Sequence, residues 1–343
     1  MSYEKLRQRI LQLKDQKRAI ILAHNYQRRE IQEIADFTGD SLGLCRRAAE
    51  TDAQYMVFCG VDFMAETASI LNPDKKVLIP DTRATCPLAN MLTARIIKDA
   101  KRKHKEGAVV LYVNTTAESK AEADIICTSS NAVEVVNALE QDVILFGPDW
   151  NLAQYVKNRT RKRIIPIPSY GYCPVHQYFT VNQIRELREI YPREELEVMV
   201  HPECSPIVQS SADFVGSTGK MLERPASLGK RIFIVGTEVG LIYPLYKRHK
   251  DKSFIPLCHD ALCKPMKLHT LRKVYMALKK ERPIVKVPKK IAAEARDSIE
   301  AMLKKRQLKK TRVSQYMTER RSTLYPNILP PKAHLQKPIS IQT

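Results

Sequence analysis

The sequence predicts an α/β protein of three homologous αβα units, each with a parallel sheet, arranged with pseudo-threefold symmetry around a central site. Three observations predict it. The chain contains an internal repeat whose copies lie 88 and 89 residues apart. Short β-branched runs alternate with helical patterns inside each copy, and every copy carries a cysteine at the same place.

The repeat is clearest when anchored on Asp36, Asp124 and Asp213. Apolar runs ending I-L-A-H-N-Y (21–26), V-L-Y-V-N (110–114) and V-M-V-H-P-E (198–203) precede A-D-F-T-G-D-S (35–41), A-D-I-I-C-T-S (123–129) and A-D-F-V-G-S-T (212–218). Self-similarity at a fixed period means that one supersecondary unit is repeated. The runs Ala108–Val110, Val143–Phe146 and Ile232–Val235 are short, β-branched and bounded by Gly or Pro, as buried parallel strands are. Helical patterns such as Asn131–Glu140 lie between them, which indicates a parallel sheet with helices packed on its faces.

The expected organisation is therefore a first unit over 1–104, a second over 105–190 and a third over 191–269. The first unit includes an N-terminal amphipathic helix with Leu6, Ile10 and Leu13 on one face. Two closing helices are expected over 270–311, then a basic, disordered tail over 312–343. That tail explains much of the charge. Of the formal +20, residues 304–343 carry +9, from ten Lys/Arg against Glu319. The core is thus not expected to bind nucleic acid. Hydrophobic residues at 44% exclude wholesale disorder, and no run approaches the roughly 20 apolar residues of a membrane span. The segment Met1–Lys17 is too charged for an export signal, so a cytoplasmic location is expected.

Relative to the anchors, His24, Tyr112 and His201 stand twelve positions upstream, and Tyr26, Asn114 and Glu203 ten upstream. Positions two apart in a strand share a face, so these pairs should point together at the end of each first strand, where parallel sheets bind ligands. Strand ends also tolerate polar residues for solvation alone, but three copies with functional side chains at both positions favour a site. Ser41, Ser129 and Thr218, five positions downstream, are expected to open helices as N-caps. A helix N-terminus with a hydroxyl can also hold a carboxylate or phosphate.

The eight cysteines contain no C-x-x-C pair. Cys45, Cys59 and Cys127 have no counterparts in the other copies and read as small buried hydrophobes. Cys86, Cys173 and Cys263 are different, lying 26, 26 and 27 residues after Gly60, Gly147 and Gly236. Three equivalent thiols meeting on one axis suit a [4Fe–4S] cluster with an unligated iron, or a Cys₃ zinc with an open position. His176, three residues after Cys173, has Ala89 and Met266 as counterparts. A histidine in one copy only, beside a presumed metal, is a catalytic candidate.

The segments H-N-Y-Q (24–27), A-D-F-T-G-D-S-L-G-L (35–44), C-P-L-A-N-M (86–91), G-Y-C-P-V-H (171–176), H-P-E-C (201–204), G-T-E-V-G-L (236–241) and C-K-P-M-K (263–267) together resemble the quinolinate synthase family, in order, from about residue 18 to 305. The resemblance implies three α/β domains and one [4Fe–4S] cluster per chain on three cysteines. It also implies condensation of iminoaspartate with dihydroxyacetone phosphate to quinolinate, losing phosphate and two waters, in NAD biosynthesis. An enzyme that produces iminoaspartate is the implied upstream partner. Carried over by position, Cys86, Cys173 and Cys263 would hold three irons, and the fourth would bind substrate. Glu203 would be the main base, with Tyr26, His201, Tyr112 and His176 as further catalytic groups. His24, Asn114, Ser41, Ser129, Ser217 and Thr218 would bind substrate, the hydroxyls taking its phosphate and carboxylates. The chain departs from the family pattern at Thr85, Asn90 and Lys220, which border the site.

Overall fold

The computed structural model describes residues 2–303, so the expected basic tail and residues 304–311 of the closing segment lie outside it. The chain forms three four-stranded, all-parallel sheets of identical strand order. The first contains β1 (Ala19–His24), β2 (Phe37–Gly39), β3 (Tyr55–Cys59) and β4 (Lys76–Leu78), in the order β2-β1-β3-β4. The second contains β5 (Ala108–Tyr112), β6 (Ile125–Cys127), β7 (Val143–Gly147) and β8 (Arg163–Pro166), in the order β6-β5-β7-β8. The third contains β9 (Leu196–Val200), β10 (Phe214–Val215), β11 (Ile232–Gly236) and β12 (Ser253–Pro256), in the order β10-β9-β11-β12.

The anchor aspartates account for the matching registers. The Asp36, Asp124 and Asp213 carboxylates accept the backbone N–H groups of Ile21 (2.8 Å), Val109 (2.7 Å) and Val198 (2.8 Å). The same aspartates donate their own N–H to the carbonyls of Ile21, Val109 and Val198. Each therefore fastens the short edge strand that follows it to the first strand. Leu22 pairs with Phe37, Val110 with Ile125 and Met199 with Phe214, the same offset each time. Strands β5 and β9 are buried along their whole length, as parallel strands covered on both faces must be.

Helix packing joins the units. The N-terminal helix Tyr3–Gln16 is capped by Ser2, and it buries Ile10 with Leu6 and Leu13 beside it. Helix Leu271–Lys280 packs alongside through Leu271, Val274 and Leu278, covering Ile21, Ala23, Val57 and Cys59 on one face of the first sheet. Helix Lys289–Leu303 lies against helix Ala117–Ala121 and β6 of the second unit and against helix Asp62–Leu71 of the first. The first two sheets share one continuous core, whereas the third has two smaller cores of its own. Cys45, Cys59 and Cys127 are buried in apolar surroundings. Among the described residues, no helix is long and apolar enough to cross a membrane.

Candidate functional site

At the carboxyl ends of β1, β5 and β9 the three units enclose one cavity of about 300 Å³. His24, Tyr26, Tyr112, Asn114, His201 and Glu203 all line it, as do Ser41, Ser129, Thr218, His176 and the thiols of Cys86, Cys173 and Cys263. The lining contains one further acidic residue, Asp40, and one Lys or Arg, the exposed Lys264.

Two local details differ from the sequence expectation. Tyr26, Asn114 and Glu203 do not share a strand face with their partners, because each lies past the strand end in a turn. The turn brings them in instead: Gln27 N–H donates to the His24 carbonyl at 2.9 Å and Cys204 N–H to the His201 carbonyl at 3.0 Å. The hydroxyls at the downstream position are also not N-caps. Asp40 caps helix Ser41–Glu50, Ser217 caps helix Thr218–Glu223, and Ser129 sits in a turn before helix Ala132–Asn137. The cap falls one residue early because Asp40 and Ser217, with extended backbones, accept from Gly43 and Lys220. Ser41, Ser129 and Thr218 are thereby left facing the cavity, while Ser217 is buried outside the lining, 3.4 Å from the Asp40 carboxylate. Thr85, Asn90 and Lys220 are outside the lining too.

Glu203 is the electrostatic centre, with only 3% of its surface exposed. Burial alone would raise its carboxyl, but the imidazoles of His176, His201 and His24 outweigh it and hold Glu203 below the ordinary carboxylate range. Nδ1 of His201 stands 3.1 Å from Glu203 Oε2 and 3.3 Å from the Glu203 amide N–H. With the carboxylate ionised, the shorter contact takes the imidazole proton, which leaves Nε2 to accept from the Ser129 hydroxyl at 3.1 Å. Nδ1 of His176 is 3.2 Å from the same carboxylate oxygen. The His176 and His201 rings stack, with centroids 4.8 Å apart. Burial lowers His176 and His24 to about 3. Burial, then the charge on Glu203, keeps Tyr26 and Tyr112 protonated, well above their ordinary range.

Sequence reasoning missed Thr237, which is 1% exposed at the end of β11. Its hydroxyl is 2.6 Å from the Tyr26 hydroxyl and 3.0 Å from His176 Nε2, so it links the first unit's phenol to the second unit's imidazole. A signal existed. Its repeat counterparts are Val61 and Pro148, so it is polar in one copy only, the pattern that singled out His176. Glu203 Oε1 and Asn114 Oδ1 are buried without hydrogen-bond partners. Such orphans are costly, and two around one cavity mark where a ligand's polar groups would be received.

The thiols suit a metal centre. Burial pushes Cys263 up to about 11, and burial with Glu203 and the neighbouring thiols holds Cys173 well above the ordinary thiol range. Cys86 is raised by burial and by Cys263. Three thiolates cannot coexist in such a pocket unaided, whereas a cationic centre would stabilise all three. The loops bring all three to one cavity. A Cβ at Gly171 would stand 1.9 Å from the Pro148 carbonyl, so only glycine lets the Cys173 loop cross the end of β7. One ligand atom each of Cys173, His176 and Glu203 lie within 4.8 Å of one another, so the thiol wall adjoins the acid–base wall.

A family model described as quinolinate synthetase A protein matches residues 8–304. The chain is 54% identical over 300 residues to a quinolinate synthase of Methanothermobacter thermautotrophicus, covering 87% of this chain and 98% of that one. It is 53% identical over 294 residues to a quinolinate synthase of Pyrococcus horikoshii, covering 86% and 97%. It is 51% identical over 290 residues to one of Thermotoga maritima, covering 84% and 96%. The chain belongs to the quinolinate synthetase A family and is an enzyme of the quinolinate synthase class.

Proposed function

We propose that this enzyme condenses iminoaspartate with dihydroxyacetone phosphate to give quinolinate, phosphate and two waters, within NAD biosynthesis. In this reading Cys86, Cys173 and Cys263 hold one [4Fe–4S] cluster per chain. The observation that carries it is the convergence of three repeat-equivalent thiols on the cavity that also holds Glu203 and its two histidines. When bound, the cluster supplies an open iron, a Lewis acid for a departing hydroxyl.

The chain's own residues supply the proton chemistry. Forming the new carbon–carbon bond requires a proton to leave a carbon next to a carbonyl or imine. Glu203, ionised and with Oε1 unpartnered, is the base for that step. The oxygen that gains charge needs donors, and Tyr26 and Tyr112, held as neutral phenols, provide them. One water leaves as the nitrogen closes the ring on a carbonyl carbon, with its protons coming from nitrogen. The other dehydration takes one proton from carbon and delivers one to the leaving hydroxyl. His201 and His176 flank Glu203 and can pass that proton on, His176 with Thr237 and Tyr26 behind it. Ser41, Ser129 and Thr218, with His24 and Asn114, orient the carboxylates and phosphate, and Ser217 supports them by capping the helix behind Thr218.

The test is anaerobic reconstitution with iron and sulfide, then an assay for quinolinate from the two substrates. Product formation that requires both substrates and the iron is expected. An iron-loaded protein that makes none overturns the reading.

A further inference from the structure

The three cysteine loops share a fixture that the acid–base residues do not use. In each unit an acid stands two residues after the glycine that follows or ends the third strand: Asp62, Asp149 and Glu238. Its carboxylate accepts the backbone N–H of that unit's cysteine. The distances are 3.2 Å from Cys86 to Asp62 Oδ1, 3.1 Å from Cys173 to Asp149 Oδ2 and 3.1 Å from Cys263 to Glu238 Oε1. A second bond runs beside each. Asp62 N–H donates to the Ala84 carbonyl (2.8 Å), Trp150 N–H to Gly171 (2.7 Å) and Val239 N–H to Ala261 (3.1 Å), always two residues before the cysteine.

Helix capping is the simpler explanation, and it accounts for part of this. The same carboxylates accept from Phe63, Leu152 and Gly240 at the start of the next helical segment. A cap needs one such bond, however, and Ser or Thr would serve as well. A carboxylate has the lone pairs to take a second N–H, and in all three units that donor belongs to the cysteine.

We propose that Asp62, Asp149 and Glu238 are positioning residues for the metal centre, forming two-bond clamps that fix the main chain of each cysteine loop before metal arrives. This rests on the assignment of the three cysteines as ligands. A ligand set held in place by its supporting shell loses less order on loading and releases metal more slowly. The third clamp has an extra member. Lys267 pairs with Glu238 at 2.9 Å and also donates to the Tyr26 carbonyl, so the Cys263 loop and the Tyr26 turn are held as one piece.

The experiment compares Asp62→Ala, Asp149→Ala and Glu238→Ala with Asp62→Asn, Asp149→Asn and Glu238→Gln, which keep an acceptor oxygen. Thr93→Ala, which removes a helix cap outside the cavity lining, is the control. In full-length, cluster-loaded protein, an iron chelator is added and the loss of visible absorption is timed. The alanine variants should release iron about tenfold faster than wild type. The amide variants should stay near wild type, and Thr93→Ala should match it. In metal-free protein, alkylation of each cysteine is followed by mass spectrometry, and each alanine variant should speed modification chiefly at its own clamped thiol. Wild-type release rates in the alanine variants, equal acceleration by the amides, or equal acceleration by Thr93→Ala would each overturn the proposal. If Asp149→Ala fails to fold, Asp62→Ala at the less buried clamp decides. Should wild type take up no cluster, the ligand assignment fails, and the alkylation pattern still judges the clamps.

Discussion

The two walls of the cavity are built on opposite plans. On the thiol wall all three units contribute the same residue, each cysteine leading into a short helical segment and held by an acid of its own unit. On the acid–base wall the equivalent positions have diverged into His24, Tyr112 and His201, followed by Tyr26, Asn114 and Glu203. Repetition gives a symmetric donor set, which a metal centre can use. Divergence gives an asymmetric set, which can tell one end of an unsymmetrical substrate from the other. The threefold scaffold thus separates two tasks by what each unit kept and what it changed.

The largest effect should come from breaking the symmetric wall. Cys173→Ser should take quinolinate formation below detection and lower the iron content. Cys204→Ser, in the core of the third unit, should keep most of both. Comparable loss in the two, measured as product and iron per chain, would mean that the thiol wall is misassigned. Next comes the centre of the asymmetric wall. Glu203→Gln should lower kcat by about 10²–10⁴-fold with iron content unchanged, which separates proton transfer from metal binding. Thr237→Val keeps the shape but removes the hydroxyl between Tyr26 and His176. A loss of about tenfold in kcat is expected, the equivalent of roughly 1.4 kcal/mol, again with normal iron. The smallest catalytic effect should come from the residue that anchors the repeat. Asp124→Ala leaves the Val109 N–H without its carboxylate acceptor and should cost about 1–3 kcal/mol in denaturant unfolding. Its kcat per folded molecule should not change.

That last contrast shows what the sequence disclosed. The period, the parallel sheets and the shared cysteine position were legible because repetition marks any residue that every unit needs, whatever the need. Asp36, Asp124 and Asp213 serve register, whereas Cys86, Cys173 and Cys263 face the cavity. Repetition alone cannot distinguish the two. Side-chain aim was less legible. Ser217 is a cap while Ser41 faces the cavity beside its capping neighbour Asp40, and a shift of one residue in the helix start decides which side chain is used as a cap. Thr237 was invisible as a partner of Tyr26 because the two are joined only across the unit interface. The clamp acids stood in plain view in V-F-C-G-V-D, L-F-G-P-D and I-V-G-T-E, yet their second bond reaches a loop 24 or 25 residues away.

Iron and acid-labile sulfide per chain, measured in protein purified without oxygen, test most directly whether one thiol from each unit shares a single centre. Wild type should carry about four of each, and Cys86→Ser, Cys173→Ser and Cys263→Ser should each lose them together. A colourless protein with stoichiometric zinc, or a cluster indifferent to one of the three substitutions, would contradict the account.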